Sequence, residues 1–172
     1  TLTMSEGQQY QIKEVALSGN LIVEPEALIP LVSVRPGEIF SRTRVSNSQE
    51  RLSDKLSDEG YAFANVNAIP EVDKENHLIS FTFFIDPGKR VYVRRISMAG
   101  NSKTRDEVLR REMRQMESGW FSAAAVERSR VRLQRLGYFE EVNVETPAVP
   151  GTTDQVDVQY SVVERASGSI SA

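Results

Sequence analysis

The sequence contains no cysteine, which removes disulfides, thiolate metal sites and cysteine nucleophiles. It has a single histidine, His77, so a two-histidine metal site is excluded and a histidine-based triad has little to draw on. No apolar run approaches the ~20 residues that a membrane-spanning helix needs. The longest apolar cluster is interrupted by Ser80 and Thr82 and alternates as a strand does. There is no glycine-rich phosphate loop, GxSxG elbow or HExxH. Carboxylates are plentiful, yet Asp73, Glu75, Asp154 and Asp157 lie in or beside polar turns with no paired motif around them. Catalysis, a metal and a cofactor are therefore not expected.

What is present suits a folded chain. Of 172 residues, 40% are hydrophobic and 26% charged, which fits one or two globular domains. The net charge of −3 hides an asymmetry. Up to Gly88 there are 7 basic and 13 acidic residues, and after it 14 and 11, so the parts carry −6 and +3. Such polarity suggests oriented contacts with charged neighbours. It is too weak for nucleic acid, which calls for a concentrated basic stripe. The opening at Thr1 without Met, and the ending Ser167-Gly168-Ser169-Ile170-Ser171-Ala172, suggest an excised piece of a longer protein.

The chain repeats itself. Gln11–Asn20 aligns with Tyr92–Asn101 at an offset of 81, pairing Ile12 with Val93, Val15 with Ile96 and Leu17 with Met98. The same offset pairs Phe40-Ser41 with Phe121-Ser122. Leu56 through Gly60-Tyr61 matches Leu133 through Gly137-Tyr138 at an offset of 77. The lost four residues fall within a helical pattern and amount to about one turn, so the same face stays buried.

Each unit reads β-α-α-β-β. An opening strand ends at Gly-Asn, a turn signal. A first helix starts at Glu24-Pro25 in one unit and at a Thr104…Glu107 capping box in the other. Val108, Leu109, Met113 and Met116 predict an apolar stripe on a helix running from Thr104 to Glu117. A second helix is capped by Ser41 or Ser122. It turns Leu52 and Leu56, or Val126, Ser129, Leu133 and Leu136, to the core, and stops at Gly60 or Gly137. Strand two starts at Tyr61 or Tyr138. Strand three alternates as Ile79, Phe81, Phe83, Ile85 and as Val156, Val158, Tyr160, Val162. Val72-Asp73-Lys74-Glu75-Asn76 and Pro150-Gly151-Thr152-Thr153-Asp154 join strands two and three. Only Pro87-Gly88 separates the units, so two abutting modules with a preferred angle are expected. Phe40, Phe81, Phe83, Phe84, Trp120, Phe121 and Tyr138 read as core and loop anchors. Trp120 either plugs its own domain or meets a neighbour, and His77 reads as a surface residue.

This arrangement resembles tandem POTRA repeats, most specifically the two barrel-proximal ones, fourth and fifth, of a bacterial outer-membrane protein assembly factor. The resemblance rests on Val108–Glu117, on Arg135-Leu136-Gly137-Tyr138-Phe139-Glu140, on Val149-Pro150-Gly151 and on Asp154-Gln155-Val156-Asp157-Val158. Glu164-Arg165 followed by Gly168-Ser169 is similar to the family's passage into its membrane barrel. It implies an α+β fold of two POTRA modules, each with two helices on one face of a three-stranded mixed sheet whose third strand is central. The expected bounds are 1–8 for the tail of a preceding segment, 9–88 and 89–165 for the modules, and 166–172 for the start of the absent barrel. It also implies a non-enzymatic role in the periplasm of a Gram-negative cell, helping to fold and insert outer-membrane β-barrels. The expected partners are accessory lipoproteins of helical-repeat type, unfolded outer-membrane proteins and the chain's own C-terminal β-barrel, with no nucleic acid.

Two candidate sites follow. The first is the strand-two edge, Asn65, Val66, Asn67 and Ala68 in one unit and Val142, Asn143 and Val144 in the other, open to β-augmentation by an extended client. The competing reading is an ordinary domain edge, with Pro70 and Pro147 ending the strands as protection. The second is a lipoprotein-docking helix with Arg110, Arg111, Glu112, Arg114 and Gln115. Asp106–Arg110, Glu107–Arg111 and Glu117–Arg114 have helical spacing for ion pairs, whereas Glu112 has no basic neighbour at that spacing. It is free to take an arginine from a partner, or else is solvated or bonded to another element of its own domain. Arg128, Arg130, Arg132 and Arg135 enlarge the positive balance. They read as solvated helix faces or as contacts to phosphate headgroups, with nucleic acid last. A rigid spacer without client contact is the rival function.

Overall fold

The computed structural model describes residues 9–166. The expectations for 1–8 and for the barrel start lie outside those residues, save Ala166. The chain divides into two compact units, one ending at Leu56 and resuming over Phe63–Gly88, the other formed by Ser57–Ala62 and the chain from Lys89 onward.

The first module runs β1 (Gln11–Gly19), α1 (Pro25–Leu28), a 3-10 turn (Ile29–Leu31), α2 (Arg42–Asp58), β2 (Asn65–Asp73) and β3 (Leu78–Asp86). The second runs β4 (Tyr92–Ala99), α3 (Asp106–Arg111), α4 (Ala123–Arg135), β5 (Phe139–Glu145) and β6 (Gln155–Glu164). The sheet orders are β1-β3-β2 and β4-β6-β5, so the third strand of each module is central, as expected. It pairs in parallel with the first strand and antiparallel with the second. The four-residue difference between repeats falls in the second helix, 17 residues in α2 and 13 in α4.

The alternation read in the central strands is the burial pattern. Ile79, Phe81, Phe83 and Ile85 are buried with Leu52 and Leu56 below the first pair of helices. Val156, Val158, Tyr160 and Val162 form the second core with Val126 and Leu133, with Leu136 packed against it. Such side chains each contribute ~1.5–3 kcal/mol of burial. Phe40 stacks on Phe81 at 5.6 Å, while Phe84, Trp120 and Tyr138 are exposed rather than core. Trp120 lies under the Arg90 guanidinium, 4.4 Å from the ring centre.

The Gly-Asn turns need their glycines for two reasons. Gly19 and Gly100 have φ of +88° and +86°, a region that L side chains avoid. A Cβ at either would also collide with the carbonyl oxygen of Ile85 or Val162 on the central strand.

Several local expectations change. The Thr104…Glu107 capping box does not form; α3 starts after Arg105 with no side-chain cap. The Glu164 carboxylate instead gathers the Lys103 and Thr104 N–H groups and the Ser102 hydroxyl. The helix predicted to reach Glu117 ends at Arg111. The cause is a buried serine. Ser129 donates to the Ala125 carbonyl (2.8 Å) and accepts the Arg114 N–H (2.8 Å), drawing the chain away from the helical path. Ser48 does the same in the first module, donating to Arg44 O (2.7 Å) and accepting Ser33 N–H (3.0 Å). Pro70 does not end β2 but lies within it, opposite Phe81.

Candidate functional site

Each sheet has two edges, and their outward backbone groups follow from register. The Ile85 carbonyl accepts the Asn20 N–H, so Ile85 faces away from β2. Its β2 partner Val66 therefore turns its N–H and C=O outward, as do Ala68, Pro70 and Val72 at alternate positions. This edge is half closed. Gln49 Nε2 donates to the Val66 carbonyl at 2.9 Å, and Pro70 has no N–H to offer. Asn65 and Asn67 alternate with these positions and bond toward β3. In β5, Val142 faces Val162 as Val66 faces Ile85, so Val142 and Val144 turn outward. Neither has a hydrogen bond on that side among the described residues. Asn143 is exposed and donates to Glu141 (2.7 Å).

The other edges, β1 and β4, begin alike. Ile12 exchanges hydrogen bonds with Gly37 and Glu38, and Val93 with Ser118 and Gly119. After a register shift in both strands, Val15 and Ile96 become the next outward residues. Here the modules part. The Ile96 N–H donates to Glu117 (2.7 Å), and Arg110 donates to the Ile96 carbonyl (3.3 Å). The two side chains are 3.9 Å apart. The repeat offset places Ile29 and Pro36 where Arg110 and Glu117 stand. Neither has a polar side chain, and the outward groups of Val15 and Leu17 have no partner among the described residues.

The expected docking residues do not form one exposed surface. Glu112 ends α3 and is only 9% exposed. Its carboxylate meets Arg132 of α4 at 2.7 Å and Arg111 at 3.9 Å. The expectation of a carboxylate free for a partner's arginine is thus corrected: α4 supplies the cation that helical spacing on α3 could not. Gln115 is also buried, donating to the Met116 and Trp120 carbonyls and accepting the Ser122 N–H. It holds the loop before α4. Arg110 pairs with Asp106 as expected (2.5 Å). The Glu107–Arg111 and Glu117–Arg114 pairs do not form, because Glu117 serves Ile96 and Arg114 donates to the Arg111 and Met113 carbonyls. What remains exposed includes an apolar side chain and a cation. Met116 is 68% exposed, and the Arg111 side chain is 75% exposed. On α4, Arg130 pairs with Glu127 (2.6 Å). That contact holds the Glu127 carboxyl below its ordinary range. Arg128 and Arg135 border a shallow groove with Arg114 and Arg132. Among the described residues there is no cluster of acids and histidine suited to a metal ion, and no helix is long and apolar enough to cross a membrane.

Sequence reasoning overlooked the paired clips, Ser48 and Ser129, and the closure of β4. A serine repeated at the offset of 81 on the buried side of both helices was the available signal for the first. The second joins β4 to α3 and to the loop after it, and has no local pattern.

Comparison with known proteins agrees with this architecture. The POTRA family model, described as a surface antigen variable number repeat, matches residues 10–88 and again 91–165. The outer membrane protein assembly factor BamA of Neisseria meningitidis serogroup B is 34% identical over 170 residues, which are 98% of this chain and 21% of that protein. The chain therefore spans about a fifth of that relative's length. The crystal structure of Haemophilus influenzae BamA POTRA3-5 matches at 36% identity and a TM-score of 0.86, covering 92% of this chain and 63% of that one. BamA from Haemophilus ducreyi lacking POTRA domains 1-3 matches at 38% identity and a TM-score of 0.76, covering 93% and 30%. With two family matches, one on each three-stranded module, the chain belongs to the POTRA family.

Proposed function

We propose that this pair of POTRA modules is a periplasmic scaffold of the outer-membrane β-barrel assembly machinery. It docks an accessory lipoprotein of helical-repeat type through the second module, offers sheet edges to unfolded barrel clients and leads into its own C-terminal β-barrel. The observation that carries this reading is the similarity of both modules together to proteins named as outer membrane assembly factors. The role is non-enzymatic.

The geometry refines the docking face. Glu112 acts as a positioning residue that fixes Arg132. The contact itself falls to Met116 and Arg111, an exposed apolar side chain and an exposed cation, residue types that anchor interfaces. Arg110 and Arg114 flank it. Glu112→Lys is a poor probe, since it sets an ammonium against Arg132 in a nearly closed site. A cleaner experiment uses the wild-type chain and an Arg111→Glu/Met116→Ser variant as parallel baits for detergent-solubilised bacterial envelope. Capture of an envelope lipoprotein by the wild type and not by the variant is expected. Equal capture by both would overturn the docking face, and capture by neither would favour the rigid-spacer reading.

A further inference from the structure

We propose that the outer edge of β1, with the groove beside it, accepts one extended strand from an unfolded polypeptide bearing apolar side chains two residues apart and a nearby carboxylate. The proposal rests on the edge-pairing reading above and moves it from strand two of the first module to strand one.

Three observations carry it. First, Val15 and Leu17 each present an outward N–H and C=O. Two such pairs two residues apart along a strand match the ~6.8 Å repeat of another extended backbone and no compact ligand. Second, the second module displays what this position takes. At Ile96 an acceptor from Glu117 and a donor from Arg110 fill the places of a neighbouring strand's C=O and N–H. At Val15 the corresponding residues are Ile29 and Pro36, so no hydrogen-bonding side chain among the described residues fills the same seat. Third, the seat adjoins an apolar groove of about 430 Å³. Ile29, Pro30, Val32 and Val34 form its wall opposite Val15 and Leu17, and Ile29 is 59% exposed. Alternate side chains of an added strand would enter this groove. At its rim the Arg35 guanidinium has no acidic partner among the described residues, because Glu38 pairs with Arg44 at 2.8 Å. An incoming carboxylate supplies one.

The test is an amide-shift titration of the isotope-labelled chain with a blocked peptide, Ser-Val-Thr-Ile-Thr-Asp. It is taken to about 5 mM, a range that reaches weak strand addition. Shifts concentrated at Val15, Leu17 and Val32 to Arg35, with slowed exchange of the Val15 and Leu17 amides, are expected. An Ile29→Arg/Pro36→Glu variant imports the second module's closure, and its spectrum reports whether the fold is kept. It should bind at least tenfold more weakly. Unchanged binding by a folded variant would overturn the proposal. Shifts confined to Val66–Val72 or Val142–Val144 would overturn it while sparing edge pairing in general, and no shifts on any edge would overturn both. The same amides moving with protein concentration alone would assign the seat to a second copy and refute the occupant proposed here.

Discussion

The two modules share a plan and differ in how they finish it. Both finish the first strand at a glycine pressed against the central strand, Gly19 at the end of β1 and Gly100 just after β4. Both clip the chain after the first helix to a buried serine. Both bury the third strand between two edges. Yet, among the described residues, the first module closes part of β2 with Gln49 and Pro70 and leaves β1 open from Val15 onward, while the second closes β4 with Arg110 and Glu117 and leaves β5 open at Val142 and Val144. The core dictates the shared parts, because apolar burial and backbone satisfaction admit few alternatives. Surface side chains decide edge access, and they vary between repeats at small cost in stability.

The largest effect should come from breaking what is shared. Gly19→Ala and Gly100→Ala each combine an unfavourable φ with a carbonyl collision. Each should cost about 3 kcal/mol or more, seen as loss of a cooperative urea transition in the affected module. Ser48→Ala and Ser129→Ala strand one backbone N–H apiece. Both should cost about 1–3 kcal/mol, and the two values should agree within about 1 kcal/mol if the clips are equivalent. A cost in only one module would show that the clip is not a common device.

Smaller effects sharpen the differences. Glu112→Gln removes the carboxylate from Arg132, whose side chain is 43% exposed and can return to water. The expected loss is about 1–2 kcal/mol by denaturant titration, below that of a fully buried pair. The Arg110→Ala/Glu117→Ala double variant should lose less than about 1 kcal/mol, while the Ile96 amide becomes exchangeable. Last is a pH effect at Glu164 of the second module. Glu164 is held down to about 2 by the N–H groups of Thr104 and Lys103 and the Ser102 hydroxyl. A depressed carboxyl contributes stability above its unfolded value of roughly 4.3 and loses it as pH falls from there toward 2. The melting-temperature gap between wild type and Glu164→Gln should therefore be full at pH 7 and narrow through that window. The first module has Pro87 at the matching place and so has no counterpart of this carboxylate.

The fold was legible because it is written twice. Alternation at Ile79, Phe81, Phe83 and Ile85 recurs at Val156, Val158, Tyr160 and Val162, and Gly60 and Gly137 stop their helices as read. The first helix of the second module was not legible in length. Its apolar spacing continues through Met113 and Met116, but Ser129, distant in sequence, takes the Arg114 N–H and ends it. Glu112 stayed open between two readings for the same reason: neighbours on its own helix can be counted, whereas Arg132 reaches it from α4 and bears out the reading of a bond to another element of its own domain. The edges were legible as strands but not in their accessibility, which depends on Gln49, Arg110 and Glu117 arriving from other elements.

Amide hydrogen exchange at Val15 and Ile96, equivalent residues of the two repeats, tests the central claim most directly. Each is referenced to a central-strand amide of its own module, Phe83 or Tyr160. Strong protection is expected at Ile96, whose N–H is bound by Glu117, and fast exchange at Val15. Comparable protection at both would contradict the claim that the modules treat this edge in opposite ways.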